Sequence, residues 1–151
     1  MKNPTLYAEW VECFDLAKEG THDEEVLRCI KNGSLKLDAG VGGRVAKQMN
    51  EVIQFRLKKA SEKFTRSMGF NNGDMNMLTN SLLLLRKEFK FLIQFVQVPI
   101  FSEEDIKNFV DAIKKQADLM QESLESTSKN DRTGMLASVI RRNRINNLED
   151  K

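Results

Sequence analysis

Residues 75–98 read MNMLTNSLLLLRKEFKFLIQFVQV, and the spacing of their apolar side chains decides the fold class. On a helical wheel, Leu78, Leu82, Leu85, Phe89, Leu92, Ile93 and Val96 make one broad face. A second stripe, Leu84, Phe91, Phe95 and Val98, lies about a third of a turn away. A helix apolar on two sides has to be covered on two sides. Helices before and after it can cover one side and the N-terminal helices the other. A second copy of the chain, or another protein, can also sit on Leu84, Phe91, Phe95 and Val98. These four are therefore expected as partner-contact residues. Leaving them in water would sacrifice about 1.5–3 kcal/mol each.

The flanking sequence reads as helix in both directions. Toward the N-terminus, the spacing predicts a third helix from about 41 to 68, with Val41, Val45, Met49, Val52, Ile53, Leu57, Ala60, Phe64 and Met68 inward. GFNNGD, residues 69–74, separates it from the fourth helix, which ends before Pro99. Toward the C-terminus, SEED predicts a fifth helix: Ser102 caps it, and Glu103, Glu104 and Asp105 sit at its positive end. Ile106, Phe109, Val110, Ile113, Ala117, Met120 and Leu124 continue the pattern to about Ser126. Two shorter helices are expected first. One opens at Asn3 with Pro4 in its first turn; the other is capped by Thr21 and Glu24. Strand signals are almost absent. A short extended piece at residues 34–37 has no evident partner. The expectation is all-α: an antiparallel helical bundle with three long helices, two shorter N-terminal helices and a short C-terminal helix or tail. Residues 1–128 form its single domain, and residues 129–151 are a polar linker and basic amphipathic tail.

Charge divides by segment. Residues 41–73 carry seven bases and two acids, whereas residues 1–40 net −3 and residues 102–128 net −4. Alternation of this kind suits neighbouring helices of one bundle. The alternative is phosphate contact by the basic helix through Arg44, Lys47, Lys58 and Arg66, joined by the tail arginines. Glu51 and Glu62 on the same side weaken it. Arg56 is separate: it stands among Met49, Val52 and Ala60. It is expected to snorkel to the edge; if buried, it needs a carboxylate or carbonyls, and Glu88 is the expected partner.

The tail, KNDRTGMLASVIRRNRINNLEDK, nets +3 from Lys129. It offers Leu136, Val139 and Ile140 as a small apolar face beside Arg141, Arg142 and Arg144. It can dock on its own bundle, fill a groove of another protein, or touch nucleic acid.

Catalytic chemistry is hard to assemble here. His22 is a lone histidine in an expected turn, and no triad or metal set can be built around it. GVGGR, residues 40–44, has the look of a phosphate nest at a helix start but lacks the GxxxxGK[ST] pattern. Cys13 and Cys29 lack CxxC spacing and read as reduced thiols. The longest apolar run is four leucines, and the first residues lack a signal-peptide build. The expected protein is cytoplasmic and non-catalytic, without cofactor or membrane contact. It acts on another protein or a second copy of itself, as a small regulator, adaptor or assembly component. Nucleic-acid regulation is the alternative, and ligand binding or catalysis at the Gly-rich helix start, residues 40–44, comes second.

Overall fold

The computed structural model describes residues 2–35, 39–70, 74–129 and 133–148. They are all-helical: α1 Tyr7–Glu19, α2 Asp23–Lys31, α3 Ala39–Phe70, α4 Met75–Phe95, α5 Glu103–Ser128 and α6 Met135–Arg142. No strand occurs among the described residues. The chain divides into two compact units. Unit 1 comprises Met1–Leu57 and Phe91–Val110; unit 2 comprises Lys58–Lys90 and Asp111–Lys151.

In unit 1, α1 begins three residues later than the Asn3–Pro4 signal predicts. The reason is local. Glu9 Oε1 accepts from the Thr5 and Leu6 amides, at 3.1 Å each, and from Thr5 Oγ1 at 2.9 Å. The carboxylate satisfies the amides of the N-cap residue Leu6 and of Thr5 before it, and those donors hold Glu9 near pKa 2. Pro4 is used elsewhere: it is buried, and its carbonyl accepts from the Ser34 amide at 2.9 Å. Gly20, at φ 78°, closes α1 in the left-handed conformation. The expected Thr21 cap of α2 is not used. His22 is the N-cap residue, without a side-chain cap bond, while Thr21 Oγ1 pairs with His22 Nδ1.

The α1–α2 pair is packed around Trp10. The indole Nε1 donates to Ser34 O at 2.9 Å, and Gly33 lies against the indole so closely that a Cβ there would sit 2.7 Å from Trp10 Cζ2. Cys13 and Cys29 are free and buried. Burial pushes the Cys13 thiol up to about 11, with Cys29 and Glu12 adding to the shift, so it is a packing group and a poor nucleophile. Unit 1 also holds the start of α5, where Ser102 Oγ accepts from the Asp105 amide as the SEED pattern predicts.

In unit 2, Asp74 caps α4 by accepting from the Asn76 and Met77 amides at 3.0 and 3.2 Å. α3 and α4 meet there through Ser67 Oγ and Ser81 Oγ, 3.0 Å apart. The inner face of α5 continues through Ile113, Ala117 and Gln121, all buried. Gly134, at φ 72°, turns the chain into α6, whose Val139 and Ile140 are buried together with Ile145 beyond its end.

Candidate interaction surface

Arg56 does not snorkel; it is 7% exposed. Its Nη1 and Nη2 donate to Asp23 Oδ1 and Oδ2 at 2.8 and 2.9 Å, a bidentate pair. Nη1 also donates to Ala17 O at 2.8 Å, and the guanidinium carbon lies 3.9 Å from the centroid of Phe91. Sequence reasoning pointed to Glu88 as the partner carboxylate; the bidentate partner is Asp23, at the first position of α2. The placement follows from helix ends. Ala17 O is one of the α1 carbonyls left without an intrahelical donor, where a cation is favoured, and a carboxylate is favoured at the start of α2. One guanidinium serves both ends of the α1–α2 turn.

This arrangement covers one end of the second stripe of α4. Phe91 is 8% exposed, and Phe95 is closed completely into the core, as is Val98, which lies three residues past the end of α4. Phe91 stacks on Phe95 with centroids 5.6 Å apart, Phe95 meets the edge of Phe14 at 5.6 Å, and Phe14 lies beside Trp10. Each such ring pair contributes about 0.5–1.5 kcal/mol beyond its buried area. Of the four expected contact residues, three are therefore packed by their own chain. An external partner would have to displace what already packs on Phe91 and Phe95, Arg56 and Phe14 among it.

Leu84 is different. It is 57% exposed, with Met77 at 41% and Leu83 at 36% on the same helix. The exposed residues of α4 within unit 2 are Asn76, Met77, Asn80, Leu83, Leu84 and Lys87. Their spacing is heptad-like and puts them on one side of the helix, forming a seam. Leu119 and Met135 are further exposed apolar side chains of the same unit.

The tail is packed on its own unit. Gln121 Nε2 donates to Ile140 O at 3.5 Å, and Gln121 Oε1 accepts from the Ile145 amide at 3.0 Å. Asn146 Nδ2 donates to Asp118 Oδ1 at 2.9 Å, and Arg144 pairs with Glu125 at 3.8 Å. Val139 and Ile140, expected as contact residues, are thus buried against their own chain; Leu136 is half-buried, and Arg141, Arg142 and Arg144 are exposed. Gln121 was missed from sequence. Its signal was its place four residues after Ala117 and eight after Ile113 on the apolar stripe.

The basic candidates Arg44 and Lys47 are exposed in unit 1, and Lys58 and Arg66 are exposed in unit 2. The Gly-rich stretch 40–44 lies inside α3, which begins at Ala39, so it is helical backbone rather than a loop preceding a helix. Positive φ occurs among the described glycines at Gly20 and Gly134 alone, and a nest needs such a residue. Among the described residues no group of three or more His, Cys, Asp or Glu side chains is placed to hold a metal ion. No described helix is long and apolar enough to cross a membrane. No family model matches the chain, and neither a curated protein nor a solved structure matches it.

Proposed function

We propose that this is a non-catalytic, cytoplasmic helical-bundle protein that acts through protein–protein contacts, as a small regulator, adaptor or assembly component. Its long helices α3, α4 and α5 run antiparallel in that reading. The observation that carries it is the bare apolar seam of α4: Met77, Leu83 and Leu84 stand in water on a helix whose apolar residues Phe91, Leu92 and Phe95 are buried. Burying each against a partner would contribute about 1.5–3 kcal/mol, and three neighbouring side chains of this size make a helix-docking face. The exposed arginines Arg141, Arg142 and Arg144 supply charge for a second contact on the same unit. Parallel capture from native cell extract with the natural chain and with Leu84→Asp tests this. Bands lost with the variant, at unchanged helical circular dichroism, support the reading. Identical capture by both removes α4 from it.

A second reading is favoured by one observation. Unit 2 holds fifteen bases and ten acids, a net of +5, whereas unit 1 nets −3. A polyanion would be drawn to unit 2, with Lys58, Arg66 and the tail arginines as contacts. Binding to DNA or RNA that weakens steeply with salt supports it; no binding at low salt removes it.

A further inference from the structure

The spacing of chemistry along the bare seam is palindromic. Asp74 stands three residues before Met77, Leu84 seven residues after it, and Lys87 three residues after that. All four are exposed or partly exposed in unit 2, and Asn80 and Ser81 lie at the midpoint. The order is acid, apolar, apolar, base, spanning about 20 Å of helix. Reversed, it reads base, apolar, apolar, acid at the same intervals. A helix with that property is complementary to itself in the antiparallel direction: a twofold axis beside Asn80 and Ser81 sets Met77 opposite the partner's Leu84 and Asp74 opposite the partner's Lys87. Twofold interfaces require this self-complementarity.

We infer that the occupant of the α4 seam is a second copy of this chain, paired antiparallel through Met77 and Leu84 and held in register by the Asp74 and Lys87 charges. The inference rests on reading the α4 face as a contact surface and adds what covers it. Charge explains the direction. A parallel pairing would set Lys87 against Lys87 and Asp74 against Asp74, whereas the antiparallel one makes two opposite-charge contacts. Asn80 supports the register, since the twofold sets this polar side chain opposite the partner's Ser81, whereas a slip would face it with leucine. Leu83 flanks the seam and widens the apolar area on both copies. Asp74 keeps one oxygen engaged with the Asn76 and Met77 amides, so the carboxylate that faces the second copy is already oriented.

Mass in solution and cross-linking test this on the full chain. Light scattering over a concentration series is expected to show a monomer–dimer equilibrium. Lys87→Glu, a surface change that sets like charges opposite each other twice, is expected to weaken it about five- to tenfold, and Leu84→Asp to abolish it. Register is read with two single variants, Met77→Cys and Leu84→Cys, in an oxidising buffer. Their mixture is expected to form disulfide-linked dimers at least tenfold faster than either variant alone, while Cys13 and Cys29 stay buried and silent. A chain that remains monomeric at several hundred micromolar overturns the inference. So does a pair of variants that each cross-link to themselves as fast as the mixture. If the natural chain is monomeric and yet Leu84→Asp loses captured proteins from extract, the contact surface stands and the second copy as its occupant falls.

Discussion

Unit 1 secures its short helices with Arg56, a guanidinium that grips a carboxylate and a helix-end carbonyl beneath an aromatic ring. Unit 2 secures α6 with Gln121, a neutral amide set between the Ile140 carbonyl and the Ile145 amide. Both are buried polar side chains on the inner stripe of a long helix, and both satisfy main-chain groups at the end of a short one. They differ in what their loss leaves behind. A guanidinium in a covered site that loses its carboxylate is poorly hydrated, so removing the partner is costly. A lost amide leaves two main-chain groups unsatisfied, a smaller penalty. The covering of α4 follows the same division. The second stripe is closed in unit 1 by the hairpin that Arg56 holds in place, whereas in unit 2 Leu84 of that stripe is exposed beside Met77 and Leu83, although Leu78, Leu82, Leu85 and Phe89 of the first face are buried.

The largest expected effect comes from breaking the charged anchor. Asp23→Ala should cost about 3 kcal/mol, the low end for a buried pair, because the Asp23 side chain is itself 32% exposed. Arg56→Met should cost less, about 1–2 kcal/mol: Asp23 can then hydrate, and Ala17 O loses one donor. Urea unfolding of the two variants measures this asymmetry; equal losses would mean that Arg56 is not sealed. Gln121→Leu comes next, at about 2 kcal/mol, for the two buried main-chain groups it strands. Its signature should be local, with faster proteolysis after Arg142 and little change around Trp10 fluorescence.

The smallest effect is a pH effect confined to unit 1. The Glu9 carboxyl is held at about 2 against 4.5 in the unfolded chain, by donors from Thr5 and Leu6. A depressed folded pKa means that its contribution is fully present above 4.5 and is lost as pH falls through about 2. The stability gap between the natural chain and Glu9→Ala should therefore be constant at neutral pH and close between pH 4.5 and 2. A gap that persists below pH 2 would show that packing, not charge, separates the two.

Much of this architecture was legible in local sequence, and the reasons are local. Asp74 and Ser102 announce the starts of α4 and α5 because a cap acts within three residues. Asn32 and Gly20 mark helix ends for the same reason. The Asn3–Pro4 signal failed because Glu9, four residues beyond Thr5, bonds the preceding amides and draws the helix start toward itself. Arg56 was visible as an anomaly on its stripe, but its partner was not. Asp23 lies 33 residues away in sequence, and no periodicity links the two. Gln121 hid because a lone amide among apolar positions looks like an ordinary surface residue until the tail folds over it.

By itself, the sequence determined that the chain is helical, roughly where its helices run, and that α4 is apolar on two sides. Those properties depend on side chains within one or two turns of one another. Only the tertiary structure decided which end of the second stripe is covered. Phe91, Phe95 and Leu84 have the same hydrophobic character and share that stripe, so nothing local separates them. The separation comes from chain that returns from a distance: α1 brings Phe14 against Phe95, and Arg56 closes over Phe91. Leu84 remains 57% exposed.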